Sequence, residues 1–154
     1  ICGQIPISGY GRYIYKLISK LGLNNSIELL GYLSAKEIVS ELLRANIFIL
    51  PSFIENSPNS LVESLLMGVP SIGPNTGGVP SFIIPEYNGL LFTPGNYSEL
   101  ATKIAQLLNS PEFCIYLGSN ARKMALTRNN PQIISDRTLS LYQELISRSK
   151  YTKQ

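Results

Sequence analysis

Glu55 and Glu63 are the two side chains of this sequence best placed to do chemistry, with seven residues between them at the start of an apolar-faced helix. Upstream, Ile47 to Leu50 is an apolar run that stops at Pro51, as a buried strand would. Ser57-Pro58 reads as N-cap and first helical residue, the position where a missing N–H costs nothing. Leu61, Val62, Leu65 and Leu66 give the helix its apolar face, and Gly68 closes it. Glu55 therefore falls in a loop and Glu63 on the helix, at a junction where unpaired N–H groups and the positive end of a helix dipole attract anions. A plainer reading stands beside this one. Glu63 also fits the solvated face of its helix, and Glu55 also fits as a dipole-favouring residue worth about 0.3–1 kcal/mol.

What the sequence lacks narrows the chemistry further. It has no His, which removes an imidazole base, a Ser/His/Asp triad and His metal ligands. Asp136 is the only aspartate, so no Asp-x-Asp metal pair can form in this sequence. The 154 residues are 44% hydrophobic and only 15% charged, a globular composition with enough apolar matter for a core. A net charge of +3, scattered along the chain, gives no reason to expect nucleic acid as a partner. No run is long enough to span a membrane, and no signal peptide is visible. Cys2 and Cys114 lack metal spacing and read as reduced, structural thiols of a cytoplasmic protein.

The elements that must position the two glutamates alternate. Ile1-Cys2-Gly3, with no initiator Met, reads as the tail of a first strand and the chain as a piece of a longer protein. A helix follows from Tyr10 to Leu21, with Ile14, Leu17, Ile18 and Leu21 inward. Gly9-Tyr10-Gly11 at its start is only a weak phosphate signal, since glycine pairs at turns are commonplace. Ser26 to Leu30 reads as a second strand, and Ser34-Ala-Lys-Glu37 as a capping box opening a helix to Arg44. Beyond Gly68 come a short strand at 69–73, the loop around Gly77-Gly78, and a helical turn or extended piece at 81–84. The turn Tyr87-Asn88-Gly89 leads into the strand Leu90-Leu91-Phe92. Asn96-Tyr-Ser-Glu99 opens a helix to Leu108 with Leu100, Ile104, Leu107 and Leu108 inward, and helices at about 111–127 and 132–148 follow. Short apolar strands alternating with amphipathic helices imply an α/β domain, a doubly wound parallel sheet with C-terminal helices. Ligands of such sheets sit at the carboxyl ends of the strands, here the loops at 52–59 and 73–78 and the turn at 31–33.

Pro-Ser-x-x-Glu55, Glu63-Ser-Leu-Leu-Met-Gly-Val-Pro, the Gly77-Gly78 loop and Asn88-Gly-Leu-Leu-Phe-x-Pro-Gly-Asn96 occur in that order and at suitable distances. From about Gly3 to Leu108 the sequence resembles the C-terminal, donor-binding domain of the retaining glycosyltransferases of family 4, which have the two-domain, Rossmann-like GT-B fold. The resemblance implies that residues 1–154 are a single domain binding a UDP- or GDP-linked sugar. It implies that Glu63 holds the ribose hydroxyls, since an ionised carboxylate accepts from both members of a diol. Glu55 would contact the donor sugar near the reacting carbon and act as the catalytic residue. Backbone N–H groups of Asn56, Ser57, Asn59, Ser60 and Leu61 would meet sugar hydroxyls and phosphate oxygens. Gly77 and Gly78 would lie by the diphosphate, and Gly31, Tyr32 and Leu33 would line the base pocket.

The implied reaction is transfer of a hexose or related sugar to a glycan or lipid-linked acceptor, with retention and without metal or other cofactor. The acceptor domain and the first strand, with the family's phosphate-binding Arg and Lys, would precede Ile1. Arg12 and Lys16 do not match that motif. Peripheral membrane contact at the cytoplasmic face would come from that preceding half, which alone would carry the acceptor. The fragment by itself is expected to be inactive. Two departures shift the site toward polar contacts: Ser81 stands where the family often has a glutamate after the glycine loop, and Asn56-Ser57-Pro58 replaces a Phe-Gly pair. A non-catalytic module of the same fold, binding nucleotide or a partner protein, is the alternative from another class. An epimerase or phosphorylase of this fold fits less well, since the first lacks this glutamate spacing and the second needs a pyridoxal-binding lysine.

Overall fold

The computed structural model describes residues 1–3, 5 and 8–151, with side chains described to residue 148. The chain divides into two compact units, Ile1–Glu41 and Leu42–Gln154.

In the first unit, α1 (Tyr10–Lys20) is followed by Gly22, whose φ of 68° turns the chain out of the helix. Ile14 and Ile18 are half-buried, whereas Leu17 and Leu21, expected inward, are exposed. The predicted strand at Ser26 to Leu30 does not form. The segment makes one isolated parallel bridge, Cys2 with Gly31, supported by Leu30 N to Ile1 O at 2.9 Å and Gly3 N to Gly31 O at 2.8 Å. In this parallel register Leu30 lies opposite Ile1, and among the described residues no strand runs beside 26–29 to make a ladder. The capping box is present. Glu37 Oε2 accepts from Ser34 N at 2.7 Å and from Ser34 Oγ at 2.6 Å, and Ser34 opens α2 (Ala35–Arg44). These bonds favour the ionised carboxylate and hold its pKa below the ordinary 4.5, the hydroxyl contributing most. Cys2 is exposed and Cys114 half-buried, and both are free thiols.

The second unit is built on a parallel sheet in the order β1 (Phe48–Ile49), β2 (Ser71–Pro74), β3 (Leu90–Phe92). Phe48 pairs with Ser71, Ile72 with Leu90 and Gly73 with Leu91. Side chains alternate across the sheet, so this register separates two apolar clusters. Ile72, Leu90 and Phe92 pack with Leu107 of α4 (Tyr97–Leu108) and Leu117 of α5 (Pro111–Arg128). On the other face, Leu61 and Leu65 of α3 (Asn59–Met67) meet Val79, Ile83 and Ala121 and Ala125 of α5. Helices thus cover both faces, the α/β arrangement expected. Leu108, expected inward, is exposed. α6 (Pro131–Tyr151) leaves Ile134, Leu139, Leu141, Leu145 and Ile146 exposed although their spacing is amphipathic. No helix among the described residues is long and apolar enough to cross a membrane.

Candidate functional site

The loops at 50–58, 75–78 and 93–96 leave the carboxyl ends of the three strands and meet one another there. The first carries Glu55, which is half-buried. Its Oε2 accepts from Ser52 Oγ at 3.2 Å and its Oε1 from Asn56 N at 3.3 Å, so the carboxylate is held in place while keeping free acceptor capacity. The Ser-x-x-Glu spacing was the sequence signal for this contact, though only the glutamate stood out as functional.

The second loop packs backbone to backbone on the first. Gly78 N donates to Glu55 O at 3.3 Å. A Cβ at Gly77 would fall 1.6 Å from Glu55 O, and one at Gly78 would fall 1.8 Å from Asn56 O. The two glycines are there because no side chain fits. From the third loop, a Cβ on Gly95 would stand 3.2 Å from the Phe53 ring. Ser81, just beyond the glycine loop, donates through Oγ to Gly78 O at 2.7 Å. Arg128 of α5 grips Ser81 through Nη1 to its carbonyl and Nη2 to its hydroxyl at 3.3 Å, with its guanidinium 4.0 Å over the Phe82 ring.

The start of α3 lies one residue later than the sequence suggests. Pro58, not Ser57, is the N-cap, with φ and ψ of −75° and 98°, and its carbonyl accepts the first helical bond from Val62 N at 3.1 Å. Proline favours extended geometry with no N–H to lose, and no side chain caps this helix. The N–H groups of Ser57, Asn59, Ser60 and Leu61 have no partner among the described residues, while that of Asn56 is taken by Glu55. An uncapped helix start of this kind is an anion-binding feature.

Glu63 is exposed on the fifth residue of α3, without a partner among the described residues. Helical side chains tilt toward the N-terminus, so its carboxylate leans over the turn that holds Asn59 and Ser60. The helix beneath it is firmly seated. Ser64, next in sequence and fully buried, bonds Leu61 O at 2.8 Å and lies 2.9 Å from buried Ser71 Oγ of β2, which reaches Val69 O at 2.8 Å. Arg122 Nη1 caps the far end at Leu66 O, 2.7 Å away. Gly118 lets α5 approach closely, since a Cβ there would sit 2.2 Å from Gly68 O. Gly31, with φ of 66°, exposed Tyr32 and half-buried Leu33 belong to the first unit and form the turn before its capping box.

The structure thus brings Glu55, Asn56, Ser57, Asn59, Ser60, Leu61, Glu63, Gly77 and Gly78 into one loop-and-helix-end cluster of the second unit. Sequence reasoning did not pick out Ser64, Ser71 or Arg128, which hold that cluster, and met Ser52 only as part of the Pro-Ser-x-x-Glu motif. A cavity of about 280 Å³ lined by Asn46, Ile47, Leu107, Leu108, Pro111 and Cys114 lies at the amino end of β1, the opposite edge of the sheet.

Comparison with known proteins converges on the same assignment. A family model for glycosyl transferases group 1 matches residues 1–124. An MMP alpha-(1->4)-mannosyltransferase of Mycolicibacterium hassiacum is 29% identical over 134 residues, 86% of this chain and 33% of that protein. An N,N'-diacetylbacillosaminyl-diphospho-undecaprenol alpha-1,3-N-acetylgalactosaminyltransferase of Campylobacter jejuni is 34% identical over 116 residues, 75% of this chain and 31% of the other. Among solved structures, sucrose-phosphate synthase from Thermosynechococcus elongatus superposes with a TM-score of 0.83 at 26% identity, over 95% of this chain and 37% of that one. HepE of Anabaena, crystallised with UDP, shares the fold with a TM-score of 0.86 at 24% identity, over 93% of this chain and 40% of its own. The chain spans about a third of the length of the curated relatives it matches. With the glutamate pair, the glycine loop packed on it and a family match over most of its length, this chain belongs to the group 1 glycosyl transferases.

Proposed function

We propose that this chain is the nucleotide-sugar half of a retaining glycosyltransferase that transfers a hexose or related sugar from a UDP- or GDP-linked donor to a glycan or lipid-linked acceptor. The observation that carries the proposal is the uncapped start of α3, flanked by Glu55 and Glu63 and closed by the glycine loop. It offers three kinds of contact that a nucleotide diphosphate sugar requires. Unpaired N–H groups at Asn59, Ser60 and Leu61 suit diphosphate oxygens, and they stabilise negative charge as it develops on the leaving group. Exposed Glu63, without a partner among the described residues, accepts from both ribose hydroxyls. Glu55, fixed by Ser52 and Asn56, accepts from hydroxyls of the donor sugar and orients its anomeric carbon.

In the reaction the bond from the anomeric carbon to the diphosphate oxygen breaks, and its electron pair leaves with the diphosphate. The acceptor oxygen bonds to the same face of that carbon and gives up its proton to the departing phosphate. No step needs a metal, in keeping with a sequence that has one aspartate and no histidine. Gly31, Tyr32 and Leu33 line the base pocket in this reading, and the acceptor is held by a domain preceding Ile1, so the fragment alone is inactive. The parent acts at the cytoplasmic side of the membrane. Relatives named as a mannosyltransferase and as an undecaprenol-linked N-acetylgalactosaminyltransferase support the reaction class.

The test is a titration of UDP- and GDP-sugars against the full-length parent and its Glu63→Ala variant. One or two hydrogen bonds to a charged group are worth about 1.5–3 kcal/mol each, so donor affinity should fall roughly tenfold to a hundredfold or beyond. Unchanged affinity and turnover would remove the ribose role from Glu63.

A further inference from the structure

Helix α1 buries little of what it displays. Gly11 is buried and Ile14 and Ile18 half-buried, which fixes the face turned to its own unit. Tyr10, Tyr13, Leu17 and Leu21 follow the i, i+3, i+7 spacing of one helical stripe, and they are 75%, 56%, 36% and 59% exposed. The Tyr10 and Tyr13 rings stack at 5.8 Å, so the upper half of the stripe is a flat aromatic surface. Directly beside it, Arg12, Lys16 and Lys20 form a second stripe at i, i+4 and i+8, all exposed and none in an ion pair among the described residues. The helix sequence YGRYIYKLISK contains no acidic residue.

We propose that α1 is a docking surface for an anionic lipid bilayer. The helix lies flat, with Tyr10, Tyr13, Leu17 and Leu21 at the boundary between headgroups and acyl chains and the basic stripe among the lipid phosphates. Charge complementarity selects the occupant. An apolar stripe edged by uncompensated cations of one sign matches an anionic surface, and lysine stems reach headgroups while their methylenes stay on apolar matter. Tyrosine suits that boundary, having an apolar ring and a wet hydroxyl. The exposed apolar residues of α6 provide an internal contrast. There Asp136 and Glu144 alternate with Arg137 and Arg148, and Glu144 pairs with Arg148, so that face has no single sign to offer a membrane. The sequence left membrane contact open and looked to a preceding half of the parent for it; α1 offers a surface for it on this chain.

The experiment is co-sedimentation of the 154-residue chain with vesicles of phosphatidylcholine alone, or with about a third of it replaced by phosphatidylglycerol. Binding is expected to the anionic vesicles only and to weaken as salt is raised. Reversing Lys16→Glu and Lys20→Glu together should weaken it by at least about twentyfold, at roughly fivefold per charge. Leu17→Ser should also reduce it, measured well below the variant's melting temperature because the side chain is only 36% exposed and its loss also costs stability. Since the protein has no tryptophan, Tyr13→Trp supplies a unique fluorophore whose emission should shift to the blue on anionic vesicles. Absence of binding, equal binding to neutral vesicles, or indifference to the lysine reversals overturns the proposal. So does a dimer in solution that Leu17→Ser dissolves while vesicles are ignored, which would make the stripe a contact between copies. None of these readouts uses sugar transfer, so the donor-site reading can fail without affecting them.

Discussion

The glycines at Gly31 and at Gly77-Gly78 look alike in the sequence, each pair or single residue ending a strand-like run, and they serve different ends. Gly31 has a φ of 66°, and no atom of the described residues lies within 4 Å of the Cβ a substitution would add. Its task is backbone direction. Gly77 and Gly78 are pressed onto the carbonyls of Glu55 and Asn56, and Gly78, with φ of −82°, has a conformation any residue could adopt. Its task is proximity. The first kind of glycine lets a chain turn; the second holds one loop against the backbone of another at Glu55 and Asn56.

Alanine substitutions turn that difference into the largest effect expected. Gly78→Ala must displace the backbone at Asn56, a cost of about 3 kcal/mol or more by comparison with overpacked cores. For a chain of this size that lowers the melting temperature by about 6–12 °C. Gly31→Ala pays only the left-handed backbone penalty, about 1 kcal/mol. Thermal unfolding of both variants decides the matter. Equal costs would mean that the glycine loop is not clamped to Glu55. In the full-length parent, Gly78→Ala should also abolish donor binding, whereas a clamp without a donor site predicts loss of stability alone.

The same division between local and distant causes governs what the sequence revealed. The caps of α2 and α4 were legible because their partners stand three apart in sequence, Ser34 with Glu37 and Asn96 Oδ1 accepting from Glu99 N at 3.1 Å, whereas that of α3 falls on Pro58 and not on Ser57. The strands at 48–49 and 90–92 were legible from short apolar runs, and with them the parallel sheet and its loop edge. The strand at Ser26 to Leu30 was not, because an apolar run cannot say whether a partner lies beside it, and among the described residues the segment reaches only the bridge at Gly31. Leu108 has helical spacing, but it is exposed although Leu107 beside it is buried. Ser64 with Ser71, Arg128 with Ser81 and Gly118 with Gly68 join residues from separate elements, and no pattern along the chain announces such meetings. Glu55 and Glu63 were found by motif; the groups holding them needed coordinates.

A second, smaller test asks whether the platform under Glu63 depends on those distant contacts. Ser64 and Ser71 have two hydroxyl protons for three close contacts, so one of the three is always without its own proton. Ser64→Ala therefore leaves Ser71 its bond to Val69 O, and the loss should be about 1 kcal/mol. Urea unfolding would show it as a lower midpoint with an unchanged slope. A much larger cost would mean that the hydroxyl pair, rather than Leu61 and Leu65, seats α3 on the sheet.

The smallest effect compares the two capping carboxylates, one in each unit. Glu99 Oε2 accepts from Thr93 N at 2.9 Å, and that backbone bond is the main cause holding its pKa below the ordinary 4.5; Glu37 is lowered chiefly by the Ser34 hydroxyl. A depressed carboxylate contributes stability that is complete above its unfolded pKa and is lost as pH falls through the folded one. Both contributions should therefore be constant near neutrality and disappear below pH 4.5. Glu99→Gln and Glu37→Gln should each lower the melting temperature slightly at neutral pH and flatten its decline in acid. The two should differ in what they loosen. Glu99 fixes Thr93 in the third loop of the site, so amide exchange should rise at residues 93–96 in its variant and at 34–37 in the other. If the Glu99 variant left exchange at 93–96 unchanged, that loop would owe its order to Phe53 and Gly95, and the carboxylate would serve the helix alone.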